Sequence, residues 1–65
     1  MYGDKMRDLR KSRGLTQEQL SKNLYLSTSS VRHYERDLTC PPADVIAAYC
    51  KFFGVSADWM LGLEV

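Results

Sequence analysis

Apolar residues recur at helical spacing along the whole chain, and no segment alternates apolar and polar residues for long enough to predict a strand. A first helix is predicted over residues 4 to 12, and Gly14 ends it. The sequence Thr16-Gln17-Glu18-Gln19 is a capping box, so a second helix should begin there with Leu20 and Leu24 facing inward. One face of the first helix carries Tyr2, Met6, Leu9 and Arg13.

Three further helices are predicted in the second half of the chain. Ser27 is expected to cap the third helix, and Pro41-Pro42 should preset the first turn of the fourth, where a proline loses no needed hydrogen bond. Gly54 ends the fourth helix, and Ser56 caps a short fifth one. Inward positions are predicted at Val31, Tyr34 and Leu38 of the third helix and at Val45, Ile46, Tyr49, Cys50 and Phe53 of the fourth.

The chain length of 65 residues allows one compact domain, spanning residues 1 to 65, and is too short for two. The composition, 45% apolar and 26% charged, is typical of a soluble globular domain. The longest apolar run covers residues 45 to 50, far short of the roughly 20 residues of a membrane span, and the N-terminal residues lack the apolar stretch of a signal peptide. We therefore expect a cytoplasmic protein without a membrane partner.

Few residues are of the kinds that catalyse reactions or bind metals. The two cysteines, Cys40 and Cys50, form no CxxC motif and are expected to remain reduced. The chain has one histidine, and it has neither a glycine-rich phosphate loop nor a nucleophile motif such as GxSxG. We expect no enzyme activity, no metal, no cofactor and no small-molecule ligand.

The net charge of +1 conceals an uneven distribution of charges along the chain. Residues 1 to 36 contain eight basic and four acidic side chains, whereas residues 37 to 65 contain one basic and four acidic ones. A basic half can bind a polyanion while an acidic half faces solvent or another subunit. A solvated surface of mixed charge explains the same pattern, so the asymmetry alone does not identify a partner.

Only Tyr25 and Leu26 separate the second and third predicted helices, so these helices must cross steeply, as in a helix-turn-helix. Four segments carry a joint pattern: Gly14-Leu15-Thr16-Gln17-Glu18-Gln19-Leu20, Leu26-Ser27, Val31-Arg32-His33-Tyr34-Glu35 and Phe53-Gly54-Val55-Ser56-Ala57-Asp58-Trp59-Met60-Leu61. Through these segments the chain resembles the phage repressor and Cro, or Xre-like, family of DNA-binding proteins over about residues 6 to 62. The resemblance implies an all-α, compact five-helix, lambda-repressor-like domain, with the helix-turn-helix at about residues 16 to 36.

Two residues depart from the family pattern. The family usually has glycine at the position of Tyr25, because the turn favours a left-handed backbone that strains a tyrosine. Either the turn of this chain is strained or its geometry differs slightly. It prefers alanine at the position of Ser21, where the two helices touch, and a serine fits there if its hydroxyl bonds a carbonyl one turn earlier. Both departures concern the geometry of the turn and remove no DNA contact.

The resemblance implies that the third helix, at about residues 27 to 36, lies in the major groove of DNA. Helix geometry predicts an outward face opposite Val31 that carries Ser29, Arg32, His33 and Arg36. These side chains are suited to base edges and phosphates, although an ordinary solvated helix face has the same composition. Arg32 is expected to bind guanine through two hydrogen bonds. The predicted base-reading residues are Thr28, Ser29, Arg32 and His33.

Four residues are predicted to contact DNA phosphates. The resemblance implies that Gln17, in the first turn of the second helix, clamps a phosphate at the helix N-terminus. It also implies that Arg36 contacts the DNA backbone just beyond the recognition helix. Lys11 and Arg13 are further candidates because they are basic residues expected at the surface.

Arg10 and Glu35 each border the apolar side of their own helix, which brings two charges toward the protein interior. In the family, the corresponding arginine and glutamate form a partly buried pair. The resemblance therefore implies that Arg10 and Glu35 bind each other and fix the position of the recognition helix.

Some apolar residues in the C-terminal part of the chain exceed what a small core can bury. Tyr49, Phe53 and Trp59 fall at core-facing positions, but others have little to pack against, and exposed apolar residues often mark a subunit interface. Because a two-fold dimer reads two half-sites, we expect a homodimer on a pseudo-palindromic operator of double-stranded DNA. The predicted interface residues are Phe52, Leu61, Leu63 and Val65.

The leading hypothesis is a transcriptional regulator that binds DNA of specific sequence. A repressor is expected, since blocking a promoter requires only occupancy. The alternative is an antitoxin-like or other protein-interaction module in which DNA binding is secondary. Acidic or large apolar residues on the outward face of the third helix would favour that alternative, and none is predicted there.

Overall fold

The computed structural model describes residues 2–63, and within that range it contains five α-helices and no strand. This confirms the all-α, five-helix fold predicted from the sequence, although α1 begins at Tyr2 and not at residue 4. No helix of the described range is long and apolar enough to cross a membrane. The helices are α1 (Tyr2–Ser12), α2 (Gln17–Asn23), α3 (Thr28–Glu35), α4 (Ala43–Phe53) and α5 (Ala57–Leu61).

The predicted N-caps of α2, α3 and α5 are all present. Thr16 Oγ1 accepts a hydrogen bond from the Gln19 amide at 3.0 Å, and Gln19 Oε1 accepts one from the Thr16 amide at 2.9 Å, which completes the capping box. Ser27 and Ser56 each accept a bond of 3.0 Å from the amide three residues further on. Pro42 differs from the prediction, because it is the N-cap residue of α4 and not part of its first turn.

The core is formed by inward-facing residues of all five helices. Tyr49 and Phe53 are buried as predicted, whereas Trp59 and Cys50 are only partly buried. Lys5 of α1 donates a hydrogen bond to the Trp59 carbonyl oxygen and lies 4.9 Å from the centre of its ring, which ties α1 to α5. The buried apolar residues are Met6, Leu20, Val31, Tyr34, Val45, Ile46, Tyr49, Phe53 and Met60.

Leu38 is not part of the core, and the prediction that it faces inward is wrong. α3 ends at Glu35, and Asp37 turns the chain with a φ of 58°. Leu38 therefore leaves the helical register, and 65% of its surface is exposed. Arg13 follows the last residue of α1 and is exposed, as expected for a basic residue at the surface.

The first turn of α1 packs against the end of α3. The Gly3 amide donates a hydrogen bond to Asp37 Oδ1 at 3.0 Å, so a carboxylate from a distant segment caps α1. A Cβ atom at position 3 would lie 2.5 Å from the Glu35 carbonyl oxygen, which is too close for any side chain. The sequence pattern indicated neither the role of Gly3 nor that of Asp37.

The hydroxyl of Tyr49 is buried and has no hydrogen-bond partner among the described residues. Burial raises the pKa of Tyr49, and the nearby negative charge of Glu35 raises it further. Folding therefore favours the neutral phenol. Below about pH 10, the pKa of tyrosine in an unfolded chain, Tyr49 is neutral in both states and the fold keeps its full stability. Above that pH the unfolded tyrosine loses its proton, and the free energy of unfolding falls.

Replacing Tyr49 by phenylalanine should raise the free energy of unfolding at pH 7 by up to about 1 kcal/mol, because the change removes a buried hydroxyl that lacks a partner. The stability of the variant relative to the unchanged protein should increase further at about pH 11, where the unfolded tyrosine ionises. Thermal melts at both pH values measure the two effects. Tyr25→Phe is the control, since 96% of Tyr25 is exposed. A lower stability of Tyr49→Phe at pH 7 would contradict an unpartnered hydroxyl.

Candidate nucleic-acid interface

Helices α2 and α3 touch where Ser21 meets Thr28. Ser21 is buried, and its hydroxyl donates a hydrogen bond to the Glu18 carbonyl oxygen at 2.7 Å, which is the bond expected for a serine at this position. The Ser21 and Thr28 hydroxyl oxygens lie 3.3 Å apart. The Leu26 amide donates to the Ser21 carbonyl oxygen at 2.8 Å and closes the turn. Serine therefore fits the contact that small residues usually occupy.

The turn between α2 and α3 has the left-handed backbone that the family resemblance implies. Tyr25 has a φ of 57°, a conformation that glycine adopts far more readily than tyrosine. Its side chain is 96% exposed, so it contributes little packing to the turn. The chain thus retains the turn geometry in spite of the tyrosine.

Helix α3 has one buried face and one exposed face. Val31 and Tyr34 are buried against the core. The single acidic residue of α3, Glu35, is also buried, so the exposed face carries basic and neutral side chains. Thr28 is half-buried beside Ser21. The exposed residues of the predicted DNA-facing set are Ser29, Arg32, His33 and Arg36.

Arg10 and Glu35 form an ion pair that joins α1 to α3. Arg10 Nε lies 2.7 Å from Glu35 Oε2, and Arg10 Nη2 lies 3.0 Å from Oε1, so the guanidinium binds both carboxylate oxygens. The two side chains are 12% and 2% exposed, respectively. The hydrogen bonds to Glu35 raise the pKa of Arg10 above its usual value. Arg10 Nη1 also donates to the Leu15 carbonyl oxygen at 2.8 Å, which fixes the segment that leads into α2.

Gln17 contacts the same carboxylate. Its Nε2 atom donates a hydrogen bond to Glu35 Oε1 at 3.3 Å, and its side chain is half-buried at the start of α2. A carboxamide nitrogen carries two hydrogens, so one remains for a further acceptor. Glu35 therefore connects the start of α2, the end of α3 and Arg10 of α1. The contact between Gln17 and Glu35 does not follow from spacing along the chain.

The two weaker phosphate candidates have different environments. Lys11 is exposed in the last turn of α1. The Arg13 guanidinium carbon lies 5.5 Å from the ring centre of Phe52 and 5.2 Å from that of Phe53, within the range of a cation–π interaction. Arg13 thus has a structural contact that the sequence pattern did not predict.

The predicted interface residues are not equally exposed. Leu61 is 39% exposed and Leu63 is 67% exposed, whereas Phe52 is half-buried and makes an edge-to-face contact with Phe53 at 5.0 Å. Val65 lies outside the described residues. An apolar hollow of about 390 Å³ borders Leu61 between α1, α4 and α5.

Residues 2–63 contain no group of three or more histidine, cysteine, aspartate or glutamate side chains placed to hold a metal ion. Cys40 is exposed and Cys50 is partly buried, and both are free thiols. The polar groups that the fold brings together are therefore those of α2, α3 and the end of α1.

A sequence model of the helix-turn-helix family matches residues 6–60 of the chain. The uncharacterized HTH-type transcriptional regulator YobD of Bacillus subtilis is 38% identical over 63 residues, which are 97% of this chain and 56% of that protein. The HTH-type transcriptional activator BcrR of Enterococcus faecalis is 33% identical over 97% of this chain and 31% of its own length. The cryptic phage CTXphi transcriptional repressor RstR of Vibrio cholerae is 31% identical over 85% of this chain and 50% of its own length. The chain thus spans about half the length, or less, of these relatives.

Proposed function

The chain belongs to the helix-turn-helix family, and from this premise we propose that it forms one DNA-binding domain, over residues 1 to 65, of a transcriptional regulator. The proposal rests above all on the exposed face of α3, where the residues suited to base edges lie together and the one acidic residue is buried. Such a helix fits the major groove of double-stranded DNA. We propose repression as the outcome, because occupancy of a promoter suffices, while the named relatives include both an activator and a repressor.

Base reading is assigned to the first turn and the exposed middle of α3. Arg32 presents a planar guanidinium that matches the O6 and N7 acceptors of guanine. Thr28 and Ser29 lie in the first turn, where a recognition helix inserts most deeply. His33 follows on the same exposed face and donates to a base or to a phosphate beside it.

Phosphate contacts are assigned to the borders of the same face. The Gln17 carboxamide donates to a phosphate through its second hydrogen, which is not bonded to Glu35. Arg36 extends the basic face past the end of α3. Lys11 adds an exposed cation. Arg13 has to leave the rings of Phe52 and Phe53 to reach a phosphate, so it should contribute less than Lys11.

We propose a homodimer for the DNA-bound state. The exposed leucines Leu61 and Leu63 and the half-buried Phe52 offer apolar surface that a second copy can cover. Val65, which the sequence predicts to join them, lies outside the described residues. Two copies related by a two-fold axis place two α3 helices on successive major grooves, so the operator should be pseudo-palindromic.

Selection of duplexes from a random pool tests the proposed function. An enriched motif supports DNA binding of specific sequence, and a pool without enrichment after repeated selection would favour the protein-interaction module instead. The enriched duplex should lose affinity linearly in a plot of log Kd against log salt concentration, because binding releases counterions from the phosphates.

Replacing Arg32 by alanine should relax the preference at one base position by about 5- to 150-fold, which corresponds to roughly 1 to 3 kcal/mol of discrimination. Arg32→Lys should lose part of this preference while keeping the salt dependence, since it retains the charge but not the planar guanidinium. Gln17→Ala is the control and should weaken binding to all sequences alike. An unchanged base preference in both Arg32 variants would exclude Arg32 as a base reader.

A further inference from the structure

Tyr25 has an unfavourable backbone conformation, and its side chain makes few packing contacts that could offset the strain. Its φ of 57° is left-handed, and a side chain with a Cβ atom is strained there. The side chain is 96% exposed, so contacts inside the protein do not offset the strain. Glycine would hold the same turn without this cost. Packing within the described part of the chain therefore does not account for a tyrosine at this position.

The surroundings of Tyr25 indicate which kind of molecule it meets. Tyr25 lies at the edge of a shallow hollow of about 330 Å³ between the end of α2 and α4. Lys51, the only basic residue among residues 37 to 65, stands at the same hollow, and none of the described residues that line it is acidic. Its lining consists of Asn23, Leu24, Tyr25, Ala48, Lys51 and Phe52. The exposed lining is mainly apolar, and the polar groups of its residues can all donate to an anion: the Lys51 ammonium, the Tyr25 hydroxyl and the Asn23 amide.

The position of Tyr25 in the chain places it beside the proposed DNA-binding face. It precedes Thr28, the first residue of α3, by three residues, so the two Cα atoms are at most about 11 Å apart. Phosphates flank any base pair that the first turn of α3 reads. Tyrosine hydroxyls and lysine ammonium groups are both common donors to DNA phosphates.

We propose that Tyr25 contacts the phosphodiester backbone of duplex DNA next to the half-site read by α3, with its hydroxyl donating to a phosphate oxygen and Lys51 as a second donor. This inference rests on the proposed function and adds a contact at the turn. Phe52 lines the same hollow and is also one of the proposed dimer residues, so a second copy of the chain is the competing occupant. We favour DNA because a two-fold contact centred on this hollow would bring two Lys51 ammonium groups together.

The first test is Tyr25→Gly, for which stability and DNA affinity should change in opposite directions. Relief of the left-handed strain should raise the melting temperature by about 2 to 5 °C. Affinity for the duplex enriched by the unchanged protein should fall about 10-fold, because the ring and the hydroxyl are lost. A higher melting temperature together with a lower affinity excludes general destabilisation as the cause of the weaker binding. Equal affinity of the variant and the unchanged protein would overturn the proposal.

The second test separates the hydroxyl from the ring. Tyr25→Phe keeps the backbone strain and should weaken binding about 5-fold without changing the salt dependence, since a neutral donor releases no counterion. Lys51→Ala should instead reduce the slope of log Kd against log salt by about one. Replacing single phosphates of the duplex by neutral methylphosphonates should reveal one position that weakens the unchanged protein but not Tyr25→Phe.

The outcomes distinguish this inference from the proposed function. If the unchanged protein enriches no duplex, the proposed function fails and the inference fails with it. If the protein binds DNA and no methylphosphonate position depends on Tyr25, only the inference fails. If Tyr25→Gly alters the dimerisation constant measured by sedimentation while leaving the affinity of the dimer for DNA unchanged, the hollow faces a second copy and the DNA contact is refuted.

Discussion

Replacing Glu35 by alanine should lower the free energy of unfolding by about 3 to 5 kcal/mol. The carboxylate is 2% exposed, and it accepts hydrogen bonds from two nitrogens of Arg10 and from Gln17. Its removal leaves the Arg10 guanidinium, 12% exposed, without a counter-charge in a site from which most water is excluded. For a domain of 65 residues this is a large part of the total stability. Chemical denaturation followed by circular dichroism measures the change.

Three variants determine whether the effect comes from the buried charge. Glu18→Ala removes an acid from an exposed pair, in which Glu18 lies 3.5 Å from Lys22, and should change stability by less than about 1 kcal/mol. Glu35→Gln keeps the shape and should be milder than Glu35→Ala. The double variant Arg10→Met with Glu35→Leu should recover part of the loss, because no charge remains buried. A midpoint for Glu35→Ala equal to that of Glu18→Ala would disprove a stabilising role for the pair.

The same variants should also affect DNA binding. Glu35 holds the Gln17 carboxamide through a bond of 3.3 Å and belongs to the helix that we propose reads the bases. Loss of the carboxylate therefore frees Gln17 and loosens α3 relative to α2, so affinity should fall even under conditions where the variant is fully folded. In Glu35→Gln, a neutral acceptor is retained for Gln17, and affinity should fall less.

Replacing Gly3 by alanine should lower the free energy of unfolding by about 3 kcal/mol. A Cβ atom there would lie 2.5 Å from the Glu35 carbonyl oxygen and 2.9 Å from Asp37 Oδ2, and the nearer atom belongs to the backbone at the end of α3 and cannot rotate away. Moving α1 outward to relieve the clash breaks the hydrogen bond between the Gly3 amide and the Asp37 carboxylate. Thermal and chemical denaturation should both show the loss.

Gly14→Ala is the matched control for Gly3→Ala. A Cβ atom at position 14 would lie in open space, but the backbone there has a φ of 66°. Gly14→Ala should therefore lower the free energy of unfolding by only about 1 kcal/mol, through backbone strain. Asp37→Asn tests the cap alone, since it keeps the shape of the side chain and removes its charge. A Gly3→Ala variant as stable as Gly14→Ala would show that α1 and α3 can separate at this point without loss.

The sequence predicted those features of the fold that depend on neighbouring residues. A capping box is formed by two residues three positions apart, so Thr16 and Gln19 identify the start of α2 without any tertiary information. The buried face of α4 follows in the same way from the helical repeat, which places Val45 and Tyr49 on one side. Leu38 shows the limit of this reasoning, because the repeat continues in the sequence after the helix has ended.

The sequence alone determined the five helices, the N-caps of α2, α3 and α5 and the face of α3 that remains polar, because each depends on spacing within a single segment. Only the tertiary structure decided that Asp37 caps α1, that Arg13 lies over aromatic rings and that Gln17 shares Glu35 with Arg10. These contacts join residues from different helices and turns. Their existence depends on how all five helices pack at once, and no periodicity along the chain encodes that arrangement.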